Sequence, residues 1–367
     1  MKITCMKSEL IRGINIVMKA VPVRTTLNIQ ECILIDALPS KITLTANDME
    51  LGIETVIEGT VEKRGMIALD ARLFSDIVRK LPDDYVMIES DDLLNASIIC
   101  GKAKFRIPGL DGADFSRVPA VTAETSVLIS QLSLRDMIRQ TLFSVSASDP
   151  NKIMTGEYVE INDDTMRMIS LDGHRVSIRC LGLKAHYEPM SAIVPGKTLS
   201  EISKILSGGL EDIVRISIEE NLIMFAFDET IVVSRLIDGR YFNVDQMLTT
   251  DYETKISMNR RELVDCIDRS TLMVREDDRK PIILNIAGDE MELKITSYIG
   301  SMDDQLAVEK EGRDIKIGFN PKYMLDALRA IDDETVDMYF MNSKSPCFIR
   351  DEAGSYVYLV LPVNFVD

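Results

Sequence analysis

Apolar and polar residues follow two patterns along this chain. In the first pattern, a short alternating run leads into a segment whose apolar residues recur every three or four positions. This change of period predicts a β-strand that runs directly into an amphipathic helix. Six such units fall two to a segment, in three segments of similar length. They begin near residues 2, 65, 126, 190, 254 and 313.

The second pattern has a period of two and lies between the predicted helices. It occupies residues 42–46, 166–171 and 291–296, which predicts half-buried antiparallel strands. Each segment is therefore predicted to be α+β, with two helices packed on antiparallel sheet. Polar stretches near residues 118 and 247 interrupt the periodicity. We therefore predict three similar domains, which span residues 1–121, 122–249 and 250–367.

Polar residues at the predicted helix starts support these assignments. Asn259 and Glu262 have the spacing of a capping box, and Asp70 and Ser133 are predicted N-caps. Asn320 precedes Pro321, and proline is tolerated at the first helical position because its missing N–H would have no partner there. We expect each helix to begin at these residues.

Composition excludes several classes of protein. The six cysteines lie far apart without a C-x-x-C pair, so we expect free thiols, no metal site and no cofactor. No apolar run reaches the length that spans a bilayer, so we expect a soluble cytoplasmic protein without membrane contact. A net charge of −17 argues against a nucleic-acid partner, but only if the charge is evenly spread.

The charge is not evenly spread. The six predicted helices hold 14 basic and 8 acidic residues, a balance of +6, which leaves −23 for the remainder of the chain. Cations recur on one face of each helix except the fifth, where acidic residues balance them. These candidate phosphate-binding residues are Arg12, Lys19, Arg72, Arg79, Arg135, Arg139, Lys197, Lys204, Lys322 and Arg329.

A recurrence at equivalent places in repeated units indicates more than solvated helix faces. If the six units surround a common axis, their basic faces would line one surface suited to phosphate, and the acidic exterior would discourage indiscriminate adhesion. Aromatic residues are almost absent from these faces, so stacking on single strands is not indicated. We therefore predict sequence-independent contact with the backbone of duplex DNA.

The stretch LDGHR, residues 171–175, holds one of only two histidines. Asp172 and His174 could begin a catalytic acid-base pair, but Asp-Gly is a strong hairpin-turn signal, and no nucleophile lies beside the pair. We favour a turn without catalysis, and we interpret His186 as a solvated surface residue. A hydrolase that uses this pair and an acidic scaffold that never meets DNA are kept as alternatives.

Several motifs together resemble one family, the bacterial sliding clamp, which is the beta subunit of DNA polymerase III. They are LDGHR, KFRIPGLDGADF, LIDGRYF, KIGFNPKYMLDAL and YLVLPV, at residues 171, 104, 236, 316 and 358 onward. The resemblance covers nearly the whole chain. It implies a non-catalytic processivity factor, a head-to-tail dimeric ring of two chains around duplex DNA, a clamp loader complex, and a tethered replicative DNA polymerase.

The resemblance also implies site residues. It adds Arg24 to the DNA-facing cations, and it places Phe105, Ile107, Leu272 and Met273 at the homodimer interface. It further implies a pocket for the short hydrophobic peptides of polymerases, loaders and repair proteins. The matching pocket positions are Met154, Leu171, Gly173, His174, Arg175, Val176, Phe242, Met247, Asn320, Tyr323, Leu359, Leu361, Pro362 and Val363.

This sequence departs from the family pattern in three places. DGRYFNV stands where the family usually has D-G-R-F-P-D-Y, and the tail VNFVD ends acidic instead of basic. Lys152 and Ile153 occupy positions that usually bear aromatic residues. We therefore expect the preferred peptide to differ from that of other members.

Overall fold

The computed structural model describes residues 1–122, 125–274 and 280–365. Within them, each predicted strand-helix unit forms a strand that runs into a short helix. The α-helices are α1 (Lys7–Val17), α2 (Ala71–Lys80), α3 (Gln131–Thr141), α4 (Gly196–Ile205), α5 (Arg260–Thr271) and α6 (Pro321–Ala330). None of the helices in these ranges has the length and apolar character needed to cross a membrane.

The strands of the first predicted segment are β1 (Lys2–Met6), β2 (Cys32–Leu38), β3 (Lys41–Asn47), β4 (Leu51–Ile57), β5 (Thr60–Lys63), β6 (Gly65–Asp70), β7 (Tyr85–Ser90), β8 (Asn95–Cys100) and β9 (Ala103–Asp111). Those of the second are β10 (Val127–Ser130), β11 (Gly156–Leu171), β12 (Arg175–Pro195), β13 (Ile213–Glu219), β14 (Leu222–Phe227) and β15 (Thr230–Arg235). Those of the third are β16 (Thr254–Asn259), β17 (Ile282–Ala287), β18 (Glu290–Thr296), β19 (Ser301–Ala307), β20 (Glu309–Gly312), β21 (Ile315–Phe319), β22 (Thr335–Phe340), β23 (Cys347–Arg350) and β24 (Tyr356–Val360).

Contacts divide the chain into two compact units. Unit 1 comprises Met1–Leu134 and Ser200–Leu236, and unit 2 comprises Arg135–Leu199 and Ile237–Asp367. Unit 1 holds one antiparallel sheet in the strand order β10-β13-β14-β15-β4-β3-β2-β6-β9-β8-β7-β1-β5. Unit 2 holds the sheets β11-β12-β24-β23-β22-β16-β20 and β19-β18-β17-β21. Strands of different predicted domains therefore pair directly, β15 with β4 and β12 with β24.

Apolar side chains on one helix face form the core, as the periodicity predicts. In α1, Leu10, Ile14 and Val17 are buried against the sheet. Gly13 is required at their centre, because a Cβ there would lie 2.5 Å from Cγ2 of Ile57. Helix α1 therefore packs unusually close to β4.

The structure confirms three of the four predicted N-caps. Asp70 accepts a hydrogen bond from the backbone N–H of Leu73, and Asn259 and Asn320 cap α5 and α6 in the same way. The prediction for Ser133 is wrong. Helix α3 begins at Gln131, and the hydroxyl of Ser130 accepts the bond from the Ser133 N–H at 3.0 Å. Strand β10 ends early enough for Ser130 to occupy the capping position.

The prediction of half-buried strands is correct for β18 but wrong for β3. In β18, buried and more exposed residues alternate. In β3, Thr43 and Thr45 are buried as well as their apolar neighbours. The segment after β9 covers part of this second face, since Asn47 donates hydrogen bonds to the carbonyls of Ser116 and Arg117. Both faces of β3 are therefore shielded from water.

The six cysteines are free, and all except the half-buried Cys180 are buried. Burial raises the pKa of Cys5 and of Cys266 to about 12, so these thiols stay protonated and unreactive at neutral pH. Free thiols are as predicted. In the described ranges, no group of three or more His, Cys, Asp or Glu is arranged to hold a metal ion.

Candidate nucleic-acid and peptide-binding sites

Four of the predicted phosphate-binding cations line one groove in unit 1. The groove has a volume of about 570 Å³ and lies between α1, α2 and the end of α4. Arg12 and Lys19 come from α1, Arg79 from α2 and Lys204 from α4. Helix faces that the sequence only marks as basic are thus brought together in three dimensions.

Carboxylates partly neutralise this groove. Arg12 pairs with Glu9 at 2.9 Å, while Glu201 lies 2.7 Å from Lys204 and 4.0 Å from Lys19. Arg79 instead donates a hydrogen bond to the side-chain oxygen of Asn15. These pairs are partly exposed, so each ammonium or guanidinium group can exchange its partner for a phosphate at little cost. Such contacts are individually weak.

Arg24 and Arg72 are both exposed and lie near each other in the fold. Arg72 is on α2 and donates a hydrogen bond to the carbonyl of Val23, 3.4 Å away, which connects α2 to the loop that carries Arg24. Sequence analysis identified both arginines but could not show this link. The two cations extend the basic surface beyond α2.

Two of the predicted cations of unit 2 form ion pairs. Arg139 on α3 contacts Asp332 at 2.7 Å, and Arg329 on α6 contacts Asp268 of α5 at 2.5 Å. Lys322 and Lys197 are exposed, and Arg135 is half-buried. Asp268 belongs to α5, the locally neutral fifth helix. Acidic residues of α5 therefore offset positive charge on the neighbouring α6 as well as on α5 itself.

The LDGHR stretch forms the predicted hairpin turn between β11 and β12. Gly173 has a φ of +82°, which favours glycine. Asp172 accepts hydrogen bonds from the backbone N–H of His174 at 3.1 Å and from Nε of Arg175 at 2.9 Å. The carboxylate therefore fixes the turn and orients Arg175.

Arg175 is buried at this site, with only 7% of its surface exposed. Its guanidinium group donates to Asp326 at 2.6 Å and to the carbonyl of Phe143 at 2.5 Å. It also lies 4.4 Å from the ring centre of Tyr323, whose ring stacks on that of His174. Sequence reasoning identified Arg175, His174 and Tyr323 but missed Phe143, which lies outside the matching motifs, and Asp326, which lies within KIGFNPKYMLDAL.

Residues 359–363 lie next to this turn. Val176 on β12 pairs with Leu359 on β24, and the N–H of Leu361 donates to the carbonyl of His174 at 2.9 Å. The N–H of Val363 donates to the carbonyl of Gly318, two residues before Asn320. The turn, the tail and the start of α6 thus form one continuous surface, which includes the intervening Pro362.

An apolar cluster in unit 2 packs beneath the turn and the tail, on the side away from solvent. Leu171, Val176 and Leu359 are buried in it, and Met154 packs at its margin, near Gly173. Phe242, Met247 and Leu361 remain more than one-third exposed. The sequence analysis missed Tyr241 and Tyr158, which stack at 5.1 Å within the cluster, although Tyr241 directly precedes Phe242. Large exposed apolar side chains beside a buried cluster are typical of a peptide-binding surface.

The four predicted interface residues differ in exposure. Leu272, just after α5, is 72% exposed, and Phe105 on β9 is 38% exposed. Met273 is half-buried, whereas Ile107 is buried within the chain's own core. Of these four residues, Leu272 and Phe105 therefore have the largest exposed fractions and are the most accessible to a second chain.

His186 is exposed, as predicted. Its Nδ1 lies 2.6 Å from a carboxylate oxygen of Asp163, which raises the pKa of His186 through this hydrogen bond and the accompanying charge interaction. It lies further along β12 than LDGHR, in the exposed part of the long β11–β12 ribbon.

Repeated strand-helix units, basic helix faces and an apolar surface beside a hairpin turn define a DNA-associated clamp. Family models confirm this class: those of the N-terminal, central and C-terminal domains of the DNA polymerase III beta subunit match residues 1–119, 128–243 and 245–364. The beta sliding clamp of Staphylococcus aureus is 33% identical over 99% of both chains. The chain therefore belongs to the DNA polymerase III beta subunit family.

Solved structures agree with this assignment. A protein described as a DNA polymerase III beta subunit from Eubacterium rectale is 56% identical, with a TM-score of 0.96 over 100% of both chains. The DNA polymerase sliding clamp of Bacillus subtilis is 32% identical, with the same TM-score and coverage. The chain is a processivity factor without catalytic activity, so the hydrolase alternative is wrong. Its family has DNA and a polymerase as partners, which also contradicts the scaffold alternative.

Proposed function

We propose that two copies of this chain close head to tail into a ring around duplex DNA, with domain boundaries near residues 121 and 249. A clamp loader opens the ring, and Leu272 and Phe105 contribute to its closure. A replicative DNA polymerase and other proteins that carry the clamp-binding motif are tethered to it. Bacterial replication takes place in the cytoplasm, where we expect the ring to act.

The observation that carries the DNA-facing assignment is the groove lined by Arg12, Lys19, Arg79 and Lys204. Sliding needs many weak contacts that do not depend on base sequence, and cations partly offset by carboxylates supply them. Permanent, fully unpaired cations would bind phosphate more tightly and slow movement along the duplex. Glu9 and Glu201 thus adjust the strength of this binding.

Charge reversal tests the assignment. Replacing Arg79 and Lys204 with Glu should reduce the amount of clamp retained on nicked circular DNA about tenfold, because two attractive contacts become repulsive. The matched control replaces the exposed Arg64 and Lys184, which do not line the groove, and so changes net charge equally. Retention after loading is measured by gel filtration. Equal losses in both variants would contradict the assignment.

We further propose that the surface formed by LDGHR, α6 and the tail holds the hydrophobic peptides of partner proteins. Exposed Phe242, Met247 and Leu361 offer apolar contacts, while the ring of His174, fixed on Tyr323, offers a rigid wall. Apolar anchors in a preformed cleft are the usual basis of such recognition. The substitutions at Lys152, Ile153 and Phe242 would alter which peptide fits best.

The two histidines provide a matched test. His174→Ala should weaken binding of a fluorescent peptide that carries a polymerase clamp-binding motif about fivefold, since it removes a stacked ring from the wall. His186→Ala deletes the same side chain at an exposed site, and affinity should not change. Fluorescence polarisation gives both dissociation constants. Unchanged binding by His174→Ala would reject this location for the pocket.

A further inference from the structure

Two backbone hydrogen bonds within unit 2 hold the tail from Leu361 to Phe365. One backbone hydrogen bond joins the N–H of Leu361 to the carbonyl of His174 at 2.9 Å. Another joins the N–H of Val363 to the carbonyl of Gly318 at 2.8 Å. The tail therefore crosses from the hairpin turn of the second predicted domain to β21 of the third.

Among the described strands, β21 lies at the edge of its four-stranded sheet and pairs with β17 alone. An uncovered edge presents unpaired backbone groups. The tail partly covers this edge, and it approaches very closely at Gly318. A Cβ on Gly318 would lie 2.8 Å from the carbonyl oxygen of Val363 and 2.8 Å from Cδ1 of Phe365. Only glycine leaves room for the tail in this position.

Phe365 is the outermost described contact of this tail. Its half-buried ring lies against Gly318, and the ammonium nitrogen of Lys316 lies 5.6 Å from the ring centre. The contact combines apolar burial with a cation–π interaction. The intervening Asn364 is exposed, whereas Val363 and Phe365 on either side of it are half-buried against the protein.

We propose that Phe365 is a positioning residue that anchors the tail on β21 and thereby holds Leu361, Pro362 and Val363 in place as a wall of the peptide pocket. The inference rests on the proposed pocket and deepens it. An unanchored tail would have to become ordered whenever a peptide binds, and that entropy cost would weaken affinity. The anchor orders the tail in advance. Phe365, which lies in a stretch that departs from the family pattern, thus acquires a role in peptide binding.

Variants of the full-length protein test this role through peptide affinity. Phe365→Ala should weaken the fluorescent polymerase peptide about fivefold, mainly through faster dissociation, because the wall becomes mobile. Gly318→Ala should act in the same direction, since the added methyl group displaces Phe365. Phe365→Leu keeps an apolar anchor and should retain most of the affinity. Asn364→Ala, in the same tail but exposed, should bind as the wild type does.

Two further measurements distinguish an effect on the position of the tail from a general loss of folding. Retention on nicked circular DNA and the urea midpoint of unfolding should change little in Phe365→Ala. The inference is overturned if Phe365→Ala binds peptide normally while His174→Ala still binds it weakly, and the pocket then stands without the anchor. It is also overturned if peptide affinity, DNA retention and unfolding midpoint all fall together. Failure of the wild type to bind any peptide would instead reject the pocket itself.

Discussion

Glu157, on β11, has its carboxyl group completely buried in unit 2. Neither of its carboxylate oxygens has a hydrogen-bond partner among the described residues. Burial raises the pKa of Glu157 from 4.5 to about 8, and the nearby hydroxyl of Thr141 lowers it by a smaller amount. That hydroxyl donates its hydrogen to the carbonyl of Met137 instead. Glu157 is therefore largely protonated at neutral pH, and ionisation is costly.

This burial predicts a pH-dependent stability. Because the folded-state pKa of Glu157 is raised, its contribution is fully present below about pH 4.5 and is lost as pH rises toward 8. The free energy of unfolding of the wild type, relative to Glu157→Gln, should fall by up to about 1.4 kcal/mol per pH unit in this window. Urea unfolding at pH 5.5, 6.5 and 7.5 measures the difference.

The exposed Glu58 supplies the control for this measurement. Glu58→Gln makes the same substitution outside the core, and its free energy of unfolding should differ from that of the wild type by the same amount at all three pH values. A constant difference between wild type and Glu157→Gln at all three pH values would show that Glu157 is already ionised or hydrated in the folded chain.

At the scale of elements, helix starts depend on single side chains. Ser130→Ala removes the cap of α3 and should lower the free energy of unfolding by about 1 kcal/mol. Ser133→Ala, three residues on, leaves the acceptor for its own N–H intact and should cost much less. Urea midpoints of the two variants compare them directly. A larger loss in Ser133→Ala would restore Ser133 as the cap.

The sequence predicts the positions of helices and turns better than it predicts which strands pair. Period and capping residues locate the helices, and Asp172-Gly173 locates the hairpin turn, because these signals act within a few residues. The pairing of β15 with β4 and of β12 with β24 joins strands far apart in the chain. No local pattern encodes such pairings. The internal repeat therefore predicts three segments, but it does not predict that contacts group the chain into two compact units.

The candidate sites show the same limit. Helical spacing predicts that Lys204 and Arg79 lie on basic faces, but it cannot reveal that Glu201 pairs with Lys204 and approaches Lys19. The family resemblance supplied the pocket positions, yet Phe365 lies beyond the matching motif. Its contact with Gly318 can be recognised only from the folded structure, because Gly318 lies on β21 and Phe365 lies far along the chain in the tail.

At the scale of the whole molecule, charge segregation connects fold to function. An acidic chain with basic helices can touch phosphate along selected faces and repel nucleic acid elsewhere. A processivity factor must stay on DNA for long periods without tight binding. Topological linkage meets both requirements, because it makes retention depend on ring closure and leaves each contact weak.

Linearising the DNA tests whether the chain is retained by encirclement. The chain is placed on a nicked circular plasmid by a clamp loader, and the amount bound is measured by gel filtration before and after a restriction enzyme cuts the circle once. Encirclement predicts stable retention on the circle and rapid loss from the open ends of the linear molecule. Equal retention on circular and linear DNA would contradict it, because binding would then reside in the contacts themselves and not in encirclement.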